Sequence, residues 1–215
     1  MDRFTDIADR PAAESVEPLD MASIVGPQAW ARLPAAVRRR FARAHADATY
    51  VGALDLACSP VGRCYALLTR IFGGPLTAIR SAAVPARVRV YGDGRGGVVW
   101  ERHLDAAAGA RVVRSTKLKG EHDHTLIERT DGGLSMVLDV YEEEGALVFR
   151  SRRYFLACGS WRLPIPMLLT PGACRVEHRD QGGGTFLFLL TMVHPWWGCT
   201  FRQSGLFADP KEDFS

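Results

Sequence analysis

From about residue 84 onward the apolar residues stop recurring at helical spacing and begin to alternate. This change of period constrains the chain more than any other feature of its sequence. Segments 86–91, 98–105, 111–119, 124–130, 134–141, 147–157, 173–179, 186–193 and 200–207 each read as a strand. Turn signals separate most of them: GDGRGG (92–97), AAAGA (106–110), DGG (131–133), EEEG (142–145) and QGGG (181–184). No helical pattern lies between them, so sequential strands pair antiparallel. About nine strands in hairpin order cannot stay flat. Twist curls such a sheet into a barrel or half-barrel, which hides its edges. The predicted fold class is α+β: N-terminal helices packed on a large, strongly curved antiparallel β-sheet in meander order. Such a sheet commonly encloses a ligand site. The expectation is a continuous hollow of roughly 300 Å³ or more.

Upstream, the stretch 27–45 carries Trp30, Leu33, Val37 and Phe41 at helical spacing. Arg38, Arg39, Arg40 and Arg43 occupy the other side and read as a solvated face. Pro34 belongs in the first turn of a helix, so a break is expected near Leu33. After a short strand at 50–57, Ser59 and Pro60 suit the N-cap and first position of a second helix. An apolar stripe from Val61 to Phe72 follows, and Gly73, Gly74 and Pro75 end it. The domain plan is a mobile acidic arm with a short helical turn (1–26), one α+β domain (27–207) and a C-terminal tail (208–215).

The chain of 215 residues carries a net charge of +3. Residues 1–20 hold six acids and two Arg, −4, which leaves +7 on the remainder. The positive charges are mostly Arg and are scattered, with no nucleic-acid motif, so no nucleic-acid partner is expected. No apolar run reaches the roughly 18 residues of a membrane span, so no transmembrane segment is expected. The five Cys show no CxxC and no zinc spacing, and the acidic N-terminus is unlike a signal peptide. These features point to a cytoplasmic protein with free thiols.

The alternation also predicts faces. Leu134, Met136, Leu138 and Val140 form one apolar set. The segment FLFLLTMV (186–193) is apolar on both sides; the sheet interior covers one, and the N-terminal helices are expected to cover the other. In 98–105, Trp100 and Arg102 share a side with Val98 and Leu104. An Arg there needs an anion, a hydrogen-bonded network or a route to water.

No nucleophile elbow or P-loop is present, and GDGRGG reads as a hairpin turn rather than a phosphate cradle. His122 and His124 flank Asp123, but spacing fixes no third ligand, so no metal site is assigned. Trp100, Arg102, Ser115 and Glu128 fall on three successive strands. Facing one cavity, Arg102 and Glu128 would pair there and orient a ligand. The loops LPIPMLLTP and HPWWG bring Met167, Trp196 and Trp197, which suit a hydrophobic plug that closes one barrel end, the rim of a cavity mouth, or a contact with a membrane or partner domain. The candidate ligand-binding set is therefore Trp100, Arg102, Ser115, Glu128, Met167, Trp196 and Trp197. Catalytic residues and any cofactor are left open.

The same residues resemble a bacterial family, domain of unknown function 4166, over about residues 33–207. The similarity lies in LPAAVRRRF (33–41), GGPL (73–76), WER (100–102), Arg114-Ser115, Ile127-Glu128, DGGL (131–134), LPIPMLLTP (163–171), HPWWG (194–198) and SGLF (204–207). The family often shows a Tyr before the last glycine motif, where this chain has Phe201 and Arg202. Its members are similar to domains found alone or appended to larger proteins, including oxidoreductase-like ones. The resemblance implies a binding or accessory module and an oxidoreductase-like partner domain.

Three readings follow. The first is a binding module for an apolar or amphipathic small molecule inside the curved sheet. The alternative is a module that docks on a protein or membrane surface through the Pro-rich and Trp-rich loops, which requires Trp196 and Trp197 to be exposed. The third is an enzyme using Glu128 with Arg102, which requires a raised carboxyl pKa.

Overall fold

The computed structural model describes residues 18–42, 46–73, 76–106 and 109–210. The strands are β1 (Ala48–Cys58), β2 (Ser81–Gly92), β3 (Val98–Ala106), β4 (Gly109–Lys119), β5 (Thr125–Thr130), β6 (Leu134–Glu143), β7 (Ala146–Cys158), β8 (Trp161–Ile165), β9 (Ala173–Gly182), β10 (Thr185–His194) and β11 (Gly198–Ala208). All but β8 close into a ten-stranded antiparallel barrel, each strand pairing with its neighbours in sequence. The barrel shuts where β1 meets β11, in a register running from Val51↔Ala208 to Cys58↔Phe201. The long β7 pairs with β6 along one edge. Its other edge is shared, with Ala146–Arg150 on β9 and Tyr154–Cys158 on β8.

The expected meander and curvature are both present. Alternation of this kind did not reveal β8, which lies in the Pro-rich passage. Pro164 is tolerated there because β8 is a terminal strand on β7.

Helical segments stopper both ends. At one end lie α1 (Met21–Val25), α2 (Pro27–Arg32) and α3 (Ala35–Ala42). The expected break falls at Leu33–Pro34. The helix α1 begins within the stretch read as an arm: Asp20 accepts the Ala22 and Ser23 amides at its N-terminus, and Met21, Ile24 and Val25 are buried. Residues 1–17 of that arm, Arg43, Gly74 and Pro75 lie outside the described residues. At the opposite end, α4 (Pro60–Leu68) runs into a 3-10 turn, Thr69–Phe72, that stops at left-handed Gly73. Ser59 caps α4 as expected, its hydroxyl accepting the Gly62 amide at 3.0 Å.

Two expectations about burial are corrected. The helices plug barrel ends instead of covering the outer face of β10, so Leu187 and Leu189 stay half-buried and Val193 exposed. Arg40 is buried rather than solvated, because α3 tips it inward to Asp180 and Asp209. The barrel wall carries exposed Arg87, Arg89, Arg114, Arg129, Arg150 and Arg152. That charged exterior is incompatible with a lipid-facing barrel wall. No described helix is long and apolar enough to cross a membrane.

The closing seam depends on two glycines facing large side chains. A Cβ on Gly52 would meet the Leu206 carbonyl oxygen at 2.2 Å and the Phe207 ring at 2.7 Å; one on Gly205 would meet the Ala53 carbonyl oxygen at 2.2 Å. Gly52→Val is expected to lower the unfolding free energy by about 3 kcal/mol through overpacking. Urea denaturation monitored by circular dichroism measures that loss.

Candidate functional site

The barrel interior holds a cluster of ions among aromatic rings. Register decides its membership: Trp100 pairs with Ser115, and Lys117 pairs with Glu128. Inward residues recur every second position, so Trp100 and Arg102 on β3, Ser115 and Lys117 on β4, and Glu128 on β5 all point inside. Glu128 accepts the Ser115 hydroxyl at 2.7 Å. Its other oxygen lies 3.3 Å from Lys117 Nζ, and Arg102 Nη2 stands 3.7 Å from the oxygen that Ser115 holds. The Lys117 ammonium also sits 4.6 Å from the centre of the Trp100 ring.

The charges respond to burial in opposite ways. Burial alone pushes the Glu128 carboxyl up; Lys117, Arg102 and the Ser115 hydroxyl outweigh it and hold the group at about 2. Burial pushes Lys117 down, against the upward pull of Glu128, and Arg102 adds to the fall. Two cationic side chains thus share one buried carboxylate.

Toward α3 the lining becomes aromatic. His178 lies edge-on to Phe41 at 5.1 Å and to Trp100 at 5.5 Å, and stacks on Phe186 at 5.8 Å. Burial, with the nearby charges of Lys117, Arg40 and Arg102, drives its imidazole down to about 3 and keeps the ring neutral. Arg40 closes this side, over the Phe186 ring at 4.4 Å and bonded to Asp180 and Asp209. Its Nη1 has no hydrogen-bond partner.

The predicted continuous hollow is not present. Large side chains fill the barrel and leave small voids, two of which, of about 30 and 40 Å³, adjoin the ion cluster and the aromatic rings. Arg102, Trp100 and His178 line both of them. The larger is bounded by Lys117, Glu128, Thr77 and Gln203, giving it room and polar partners for a group of a few atoms. Leu76, Thr77 and Val113 wall it off from an open groove of about 520 Å³ on the outside, and the same three residues line that groove. Arg70, Arg111, Arg114 and Asp131 complete the groove.

Trp100, Arg102, Ser115 and Glu128 therefore converge inside the barrel, whereas Met167, Trp196 and Trp197 do not join them. Met167 opens a 3-10 turn at Met167–Leu169 and packs partly against the core. Trp196 and Trp197 stand exposed on the β10–β11 turn. Sequence reading missed Lys117, although alternation could have found it two positions beyond Ser115. It also missed His178, Thr77 and Gln203, which carry no local signal. His122 and His124 fall in a turn rather than on a strand, and His124 Nδ1 lies 2.6 Å from the Ile24 carbonyl oxygen. Among the described residues no group of three potential metal ligands converges. The raised carboxyl pKa that acid–base work by Glu128 requires is not what its surroundings favour, since Lys117, Arg102 and the Ser115 hydroxyl draw it down. A carboxylate held at about 2 has no proton to donate at neutral pH and little basicity with which to take one. Cys174, also buried inside, is pushed up to about 12 by burial, and so offers no thiolate.

Glu128→Gln leaves Lys117 buried without its counterion and is expected to destabilise the fold by about 3–5 kcal/mol. Adding Lys117→Met should recover much of that loss, and urea unfolding of the single and double variants measures the coupling. The buried groups also set a pH profile. An unfolded His178 takes a proton near 6.5, whereas the folded ring resists until about 3. Its contribution is complete above pH 6.5 and falls away as pH drops toward 3. Glu128 contributes fully above its ordinary 4.5, and that contribution is lost as pH falls to about 2. Unfolding midpoints measured from pH 7 to pH 3 should therefore decline, and His178→Phe should flatten the decline above about pH 4.5.

Comparison with known proteins adds a family but no characterised relative. No curated protein and no solved structure gives a significant match to the chain. Residues 33–207 match the family described as domain of unknown function (DUF4166), a span that starts at the Leu33 break and ends at the closing seam on β11. The match covers most of the chain and takes in every barrel strand, so this protein belongs to the DUF4166 family.

Proposed function

We propose that the protein is a binding module for a small amphipathic monoanion whose carboxylate head sits beside Lys117 and Arg102. The observation that carries this reading is the charge imbalance at the larger void: two cationic side chains face one carboxylate. A buried charge of that kind is costly unless a counterion and hydrogen bonds meet it. Thr77, Gln203 and the indole of Trp100 line the same void and would orient the head group. The void is too small for a whole drug-sized ligand, so only the head group enters it. The rest of the molecule reaches the outer groove by displacing the side chains of Leu76 and Thr77, which close the way between void and groove. There Leu76, Val112 and Val113 provide an apolar strip, and Arg70 and Arg111 attract anions, while Arg114 is already bonded to Glu101.

Octanoate is a suitable probe, with octanol as its uncharged counterpart. Calorimetric titration should show octanoate binding and no comparable binding of octanol. Lys117→Met should weaken octanoate by about tenfold or more, the worth of one charge-assisted hydrogen bond. Equal affinity for acid and alcohol, or a Lys117→Met variant that binds octanoate undiminished, would overturn the assignment.

A further inference from the structure

The barrel end that carries α4 is built differently from the rest of the surface. Thirteen large apolar side chains are exposed among the described residues, and nine of them cluster on the segments that close this end. Leu67, Leu68 and Ile71 come from α4 and its 3-10 extension. Trp161 and Leu163 come from the β7–β8 hairpin. Leu168 and Leu169 follow β8, and Trp196 and Trp197 form the β10–β11 turn. Ile71 and Trp161 are each 80% exposed, and Trp196 is 69% exposed. Soluble domains seldom gather so much apolar surface in one place without a partner for it.

These segments are tied together. The Tyr65 hydroxyl on α4 donates to the Leu168 carbonyl at 3.3 Å. His194, itself buried, has Nδ1 accepting the backbone amides of Trp196 and Trp197. That leaves Nε2–H to donate to the same Leu168 carbonyl at 3.2 Å. The Trp-bearing turn is thus held against the Leu168–Leu169 turn and α4, and the apolar side chains project from a braced rim.

Charge identifies the occupant. The three segments 59–73, 156–172 and 193–202 contain no Asp or Glu, and they carry Arg63, Arg70, Arg162 and Arg202. Of these, Arg162 is paired with Glu121. Asp105 and Asp131 stand at the groove side of the same end, outside the three segments. At the opposite end acids are plentiful: Asp20, Asp47, Glu142, Glu143, Asp180 and Asp209 lie around α1–α3 and the strand ends beside them. Arginines crowd that opposite end as well, but there Arg32, Arg40 and Arg175 sit on carboxylates, whereas the pole that carries the exposed tryptophans and leucines has arginines on acid-free segments. Tryptophan prefers the headgroup level of a bilayer, and arginine adds attraction to anionic lipid. We infer that this pole seats the barrel, end-on, on the surface of an anionic lipid bilayer. The indoles and leucines enter the interface, and the charged wall stays in water.

This inference rests on the rim and not on the interior ions, so the two can fail separately. The full chain should co-sediment with vesicles of equimolar phosphatidylcholine and phosphatidylglycerol, and much less with vesicles of phosphatidylcholine alone. Salt at about 0.5 M should weaken the association. Trp196→Ser with Trp197→Ser should reduce the bound fraction by about tenfold or more. Val51→Ser with Leu206→Ser removes exposed apolar groups from the barrel wall and should leave it unchanged. All four substitutions lie at exposed positions, and unfolding midpoints verify that the variants fold. The Trp double variant should still bind octanoate, and Lys117→Met should still bind vesicles. Failure to sediment with anionic vesicles, or sedimentation indifferent to the Trp substitutions, would overturn the inference. In either outcome the rim becomes a face for a protein partner instead.

Discussion

The β1–β11 ladder joins residues some 150 positions apart, and everything inside the barrel depends on it. An open sheet of the same strands would leave Arg102, Lys117 and Glu128 on a concave but wet face. Solvent would then screen their interaction to little consequence. Closure removes the water and raises the strength of each electrostatic contact. The seam closes tightly because Gly52 lies opposite Phe207 and Gly205 opposite Leu54, so small residues admit large ones across the ladder. Topology has a kinetic corollary: a first-to-last pairing must await most of the chain, a non-local order that slows folding.

Once the barrel is shut, its two stoppers divide the labour. At the α1–α3 end, Phe41 enters the aromatic cluster around His178, and Arg40 is clamped by two carboxylates. That end is closed by packing and ion pairs together. The other end is closed by α4, its 3-10 extension and the residues after it, with Leu76 and Thr77 as the wall beside Lys117 and Glu128. The arginine groove and the tryptophan rim both belong to this second end. A module that meets lipid there would present its anion-attracting groove near the source of an amphipathic anion.

The large-scale fold was legible because its signal is local and repeated. In β2, alternation of Ala86, Val88 and Val90 with Arg87 and Arg89 gives buried and exposed residues strand by strand. The helix break at Pro34 and the cap at Ser59 follow from the chemistry of single residues. Arg40 shows where such reasoning stops. Its neighbours Arg38 and Arg39 make the helix face read as solvated, and only the distant Asp180 and Asp209 pull it inside. The missing hollow has a similar origin. Periodicity says which side chains point inward but not how completely Phe149, Phe188, Phe201 and Leu76 occupy the space they share.

The amino-acid sequence by itself determined the antiparallel meander, the placement of Trp100, Arg102, Ser115 and Glu128 on three successive strands, and the apolar character of the Pro-rich and Trp-rich loops. Each of these is a property of residues near one another in the chain. Tertiary structure alone decided the register that joins Lys117 to Glu128, the filling of the interior, and the gathering of three acid-free segments at one pole. Those outcomes depend on pairings between strands far apart in sequence. A slip of one residue in any of them would turn every side chain of that strand to the other face.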